Sequence, residues 1–142
     1  MIADLSNMPL IFHECNMEYF GGELLFPRFE ILHSFRVCGH FEYISTDWKG
    51  MESNDPVLSI TDYYEFSRSQ FVDIMCHEMV HYYLAWTGKD KWCRHGKEFM
   101  KMSEMLNKKY CLNVTKTVDV TQCKRRKGTP LIPYLWSQIC FI

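Results

Sequence analysis

The stretch CHEMVHYYLAWTG, residues 76–88, sets two histidines four positions apart with a glutamate directly after the first. On a helix His77 and His81 stand about 40° apart around the axis and about 6 Å apart along it, so both imidazoles can address one ion. Glu78 lies about 100° round from His77, where its carboxylate reaches a metal-bound water rather than the metal. The chemistry this permits is hydrolysis: zinc lowers the pKa of its water toward ~7, Glu78 accepts the proton, and the hydroxide attacks a polarised carbonyl. With 6 His and 10 Glu in 142 residues, random order yields such a string only about 0.02 times, so coincidence is a poor account of it. The competing account, two core histidines bonded to neighbours, must find neutral partners for two imidazoles and a carboxylate.

A catalytic zinc needs a third protein ligand and an open position. The metzincin spacing would put glycine where this chain has Leu84 and histidine where it has Thr87, which excludes that class. A thermolysin-like site would draw a glutamate from a later helix, for which Glu98 or Glu104 could serve. His95, in RHGKEF, is the better candidate, because a short turn lets the next helix fold back and present it to the ion. A helix-start histidine facing water is the alternative for His95. Cys93 is a softer donor nearby, ranked behind His95 because a cysteine there serves equally well in packing.

The elements that must position these groups follow from apolar spacing. Leu10, Ile11, Cys15, Met17 and Phe20 mark a first helix from Met8 to Phe20, stopped by Gly21 and Gly22. RFEILHSF (28–35), GHFEYIS (39–45) and PVLSI (56–60) read as three short strands, with the polar TDWKGMESND between the last two as a hairpin loop. Ser67 or Ser69 can cap the next helix, where Phe71, Ile74, Met75, Met79, Tyr82 and Ala85 keep a three-to-four spacing as far as Gly88. A further helix runs from Gly96 to Lys109, with Phe99, Met102, Met105 and Leu106 on one face. VTKTVDV (114–120) alternates like a strand, KRRKGTP (124–130) reads as a turn, and YLWSQICFI (134–142) as a closing strand. The expected class is α+β: an N-terminal helix, a small three-stranded sheet, the motif helix, a third-ligand helix and a short β-type tail. One domain over 1–142 is expected, with a core at about 10–110 and a basic extension over 111–142.

Composition narrows the setting. MIADLSNMPLIF has no cationic start and carries Asp4 before a short apolar run, which does not read as a secretion signal. No apolar stretch approaches the ~18 residues that cross a bilayer. Seven cysteines (Cys15, Cys38, Cys76, Cys93, Cys111, Cys123, Cys140) without a C-x-x-C suit reduced thiols and a cytoplasmic location, nucleoid association included. The net charge of −1 conceals a division. Residues 1–88 hold 4 Lys/Arg against 13 Asp/Glu, a balance of −9, and residues 89–142 hold 12 against 4, a balance of +8. A basic back third suits a surface that meets polyanions, and equally a solvated helix face plus a tail.

Four blocks, taken together, resemble the SprT-like (Spartan-type) metalloprotease domain. NMEYFGGEL (16–24) is similar to the family's opening helix and the aromatic-Gly-Gly stretch that ends it. GHFEYI (39–44) resembles a strand after a small-residue turn, and LSITDYY (58–64) the strand leading into the active helix. CHEMVHYYL and HGKEFMKM resemble the zinc helix and the third-ligand helix. The resemblance implies a minimal zincin fold, one zinc ion on His77, His81 and His95, and Glu78 as base. It also implies proteolysis directed, in the family, at proteins on DNA, covalent DNA–protein crosslinks among them.

One departure bears on partners. Many relatives continue into a four-cysteine zinc ribbon that engages DNA, whereas this tail offers Cys123 and Cys140 with Cys111 at its root. Two thiolates do not complete a structural site, so no second zinc is expected. The tail is expected to pair VTKTVDV with YLWSQICFI and to keep CKRRKG as a basic tip. Lys124, Arg125, Arg126 and Lys127, with Lys89, Lys91, Arg94, Lys108 and Lys109, form a candidate phosphate-contacting surface. Trp92 and Trp136 are candidates to stack on unpaired bases, and core aromatics beside a solvated turn are the alternative. The expected function is a monomeric zinc endopeptidase acting on DNA-associated or DNA-crosslinked protein, with no membrane partner. A zinc peptidase with a dedicated non-DNA target and a non-catalytic, zinc-stapled binding module are the alternatives. For the group that stabilises the oxyanion, Tyr63, Tyr64, Tyr82 and Tyr83 stand unranked.

Overall fold

Asp4 starts the first helix. Its Oδ1 accepts from Ser6 N at 2.8 Å and Asn7 N at 2.7 Å, the work an N-cap side chain does. The Ser6 hydroxyl, followed by these amides, holds its carboxyl below the ordinary range. Helix α1 (Asn7–Tyr19) buries Met8, Ile11, Phe12, Cys15 and Asn16. It stops where Gly21 and Gly22 take φ of +67° and +70°, and a Cβ on Gly22 would lie 2.9 Å from Met17 Sδ. The computed structural model describes residues 1–126 and, by backbone, 139–141.

Strands β1 (Arg28–Leu32), β2 (Gly39–Thr46) and β3 (Glu52–Thr61) form one sheet of order β1-β3-β2. The central strand runs parallel to β1 and antiparallel to β2, which leaves β2 at an edge of the sheet among the described residues. The register slips between Glu42 and Ile44, a bulge at Tyr43 of the kind that re-aims side chains beside a site. The expected loop 46–55 contracts to the turn 47–51, because β3 already begins at Glu52. Its first residues are exposed and overhang the core, so polar side chains are tolerated there and alternation gives no sign of a strand.

Helix α2 (Arg68–Trp86) opens with a capping box: Ser67 Oγ accepts from Gln70 N at 3.2 Å and Gln70 Oε1 from Ser67 N at 3.1 Å. Every residue from Ile74 to Tyr82 is buried, because the helix packs against β2, β3, α1 and α3 at once. The motif therefore sits at the centre of the molecule. Helix α3 (Lys97–Tyr110) is one-sided, burying Phe99, Ser103 and Leu106, and both helices lie within two residues of their expected bounds. Phe12, Phe41, Leu58, Ile60, Phe71, Met75, Met79 and Leu106 form the core around α2.

The tail pairs as expected, though over fewer residues: β5 (Thr117–Asp119) lies antiparallel to β7 (Ile139–Phe141). The basic segment differs from expectation. Lys124–Arg125 is a short strand, β6, paired with β4 (Tyr64–Glu65), and Arg126 N donates to Tyr63 O at 2.7 Å. The extended run between β3 and α2 has backbone groups to satisfy, and this segment satisfies them. Lys127, the rest of the turn and Trp136 lie outside the described residues. Cys15, Cys76, Cys93, Cys111 and Cys123 are free thiols. Cys38, buried at the head of β2, is disulfide-bonded, contrary to the fully reduced set expected. Among the described residues no helix is long and apolar enough to cross a membrane.

Candidate metal centre

The buried middle of α2 supplies two imidazoles and the loop ahead of α3 supplies a third. His77 Nε2 and His81 Nε2 are 3.2 Å apart, His81 and His95 Nε2 are 3.3 Å apart, and His95 and His77 Nε2 are 3.0 Å apart. Tetrahedral zinc with Zn–N bonds of 2.0–2.1 Å holds its nitrogens about 3.3 Å from one another, so the triangle has the size such an ion requires. His77 Nδ1 meets the Thr115 carbonyl at 2.7 Å. A neutral His77 then donates through Nδ1 and turns an unprotonated Nε2 toward the other two rings. Three nitrogens so close, without protons between them, call for a cation. Phe99 closes the site from α3, its ring 4.7, 4.7 and 4.9 Å from those of His77, His81 and His95.

Burial, followed by the neighbouring imidazoles, pushes His77 and His81 down to about 3. Burial followed by Lys116 lowers His95. In the metal-free protein all three are thus held neutral, the state in which imidazole binds a metal. Glu78 is 1% exposed, and its Oε1 is buried with no hydrogen-bond partner. Burial alone raises its carboxyl well above the ordinary range. An orphaned carboxylate oxygen beside three convergent imidazoles fits a site that takes zinc and water. The site opens on a cavity of about 390 Å³ walled by β2 from Gly39 to Ile44, by Thr46 and Glu52, and by Lys91, Trp92 and Cys93.

The model of the SprT-like family matches residues 9–124. The chain belongs to the SprT-like family. No curated protein matches it. The family is of the zinc-metalloprotease type, and this SprT-like chain brings together His77, His81 and His95, the only group of three or more potential ligands that could hold a metal ion among its described residues.

The other sequence candidates in this SprT-like domain lie elsewhere. Glu98 lines a separate groove with Tyr19 and Met102, and Glu104 is exposed, which removes the thermolysin-like arrangement. Cys93 stands on the cavity wall, and its thiol is pushed up to about 12 by burial and then by Glu78. It remains protonated and is a poor soft donor. Tyr64 donates to Phe35 O at 2.8 Å, Tyr82 stacks on Phe41, and Tyr83 lines the separate groove. His40 and Tyr43 reach the cavity instead. Trp92 is 63% exposed beside the site, so it is not a core aromatic. Lys108 and Lys109 end α3, Lys124 and Arg125 are paired in β6, and the Arg126 guanidinium is committed to Asp62.

Sequence reading missed Asp90, which shapes the loop that delivers His95. Asp90 is 8% exposed and accepts from Trp92 N at 3.0 Å and Arg94 N at 2.9 Å. Between these amides Cys93 is forced to a φ of +54°, strain of the kind kept at functional positions. The D-x-W-x-R spacing, in which an aspartate bonds amides two and four residues on, is the sequence signal that was available. Asp90→Ala is expected to lower zinc affinity roughly tenfold or more, measured by competition with a chromophoric chelator.

Proposed function

We propose that this chain is a zinc-dependent endopeptidase that cleaves polypeptides associated with DNA. The observation that carries the hydrolytic reading is the triangle of His77, His81 and His95 with the unpartnered Glu78 Oε1 beside it, opening on a cavity along an edge strand. The three imidazoles would hold one zinc ion, which supplies Lewis acidity toward water and carbonyl oxygen. Glu78 would accept the proton of the attacking water at Oε1 and return it to the leaving amine. Strand β2, an edge among the described residues, offers its outer side to an extended substrate, and the Tyr43 bulge turns that edge at the site. Phe99 keeps water from one side of the ligand cluster.

The DNA part rests on the +8 balance of residues 89–142 and on exposed Trp92 between Lys91 and Arg94 beside the cavity. Commitment of Arg126 to Asp62 and pairing of β6 favour a second reading, a zinc peptidase whose target is not on DNA. One experiment separates them. Cleavage of an unstructured polypeptide should vanish with a chelator and return with zinc. Addition of single-stranded DNA should stimulate it, less so as salt rises, because phosphate contacts weaken with salt. Zinc-dependent cleavage indifferent to DNA and salt would select the second reading.

A further inference from the structure

The turn joining β2 to β3 is built to hold its shape. Asp47 Oδ1 accepts from Lys49 N at 2.8 Å and Met51 N at 2.9 Å. Asp47 N donates to Met51 O, and Gly50 N to Asp47 O, each at 3.0 Å. Gly50 takes a φ of +80° to close it. This rigid turn carries Trp48, 89% exposed, and Met51, 66% exposed. The one ring contact of Trp48 among the described residues is with Lys49, whose Nζ stands 4.9 Å from it. Trp48 contributes nothing to the core, and a large apolar side chain presented to water on a hydrogen-bonded turn is the form an interface anchor takes.

Two further observations name its occupant. Thr46 and Glu52, which flank the turn, both line the cavity of the metal centre, so the tip continues the wall along which a substrate would lie. Within residues 39–61 Lys49 is the sole Lys or Arg, against Glu42, Asp47, Glu52 and Asp55, of which Asp55 is paired with Arg28 and Glu42 meets His40 Nε2 at 3.0 Å. Such a surface repels phosphate backbones and complements positive charge. We infer that the Trp48 turn is a docking surface for a remote part of the polypeptide substrate, taking an apolar residue flanked by lysine or arginine. The inference rests on the peptidase reading of the metal centre. From Glu42 to the end of β2 at Thr46 is four residues of strand, about 14 Å, and Trp48 stands two residues further on, in the turn, so a peptide must extend about six residues beyond the site to reach it.

The test uses the full chain, zinc-loaded, as Glu78→Gln, with fluorescein-labelled unstructured peptides. One peptide spans the gap at about twenty residues, and one of about five cannot. Trp48→Ala in that background is expected to weaken binding of the long peptide about tenfold or more and to leave the short one as it was, with an unchanged melting temperature. Replacing the long peptide's lysines by glutamate should weaken it comparably. Equal affinity of the long peptide with and without Trp48 overturns the inference, as does Trp48-dependent binding of a single-stranded oligonucleotide in place of the peptide. If the Glu78-intact protein cuts nothing while Trp48-dependent peptide binding persists, proteolysis fails and the docking surface stands. Cleavage of long substrates with no dependence on Trp48 gives the reverse.

Discussion

Glu78→Gln is expected to lower peptide-bond cleavage by about 10²–10⁴-fold, the range a positioned acid–base group supplies, while zinc binding stays intact. Glutamine has the same shape, so the packing around this 1% exposed side chain is preserved. What disappears is the oxygen that takes a proton. Glu78 lies outside the cluster of convergent nitrogens, so its loss should leave metal affinity within a few-fold, read by metal titration beside the activity assay. The variant also replaces a carboxylate that burial disfavours in its charged form. Its melting temperature should therefore hold or rise, as is common when an active-site residue kept for function is removed. Equal activity in Glu78→Gln and the parent would sink hydrolysis by this centre and leave zinc as a staple of the fold.

His95→Ala should have an effect of similar size by a different route. Two imidazoles on α2 remain, but a zinc site with two protein ligands is not held against water, and both zinc retention and cleavage should fall below detection. His95 stands on the loop and is part-exposed, whereas His77 is fully buried and bonded to Thr115. The metal-free His95→Ala protein should therefore melt within a few degrees of the metal-free parent. The rise in melting temperature that zinc gives the parent should be absent from the variant, since only binding to the folded state stabilises. His77→Ala would confuse the two effects, because it empties a buried position as well as removing a ligand. A zinc-induced stabilisation that survives in His95→Ala would show that another group completes the site.

The helices were legible because they depend on spacing that core packing enforces: Phe71, Ile74, Met75 and Met79 mark α2, and Phe99 and Leu106 mark α3. The ligand cluster was legible for the same reason, with His77 and His81 fixed by α2 and His95 fixed by a short loop. Strands β4 and β6 left no trace, since two-residue pairings joined by Tyr64 and Arg125 have no period to read. Glu52 to Asn54 look like loop because they overhang the core, although they are paired with Thr46, Ser45 and Ile44. Phe99 reads from the sequence as one of four apolar residues on a face of α3, and its contact with three imidazoles follows only from setting α3 against α2. Long-range contacts such as Thr115 to His77 depend on topology rather than on any local pattern.

The bond from His77 Nδ1 to the Thr115 carbonyl joins the centre to a segment stapled on its other side by Asn107, which holds Val114 through both its amide and its carbonyl. Two residues further on, β5 begins and takes β7 as its partner. Zinc binding and the seating of this late segment are therefore one linked equilibrium. Whatever free energy the carbonyl lends to the metal, the metal returns in equal measure to the segment. A change that loosens the segment from Val114 to Asp119 is expected to weaken the grip on zinc some forty residues back in sequence, and an occupied centre to steady that segment in turn.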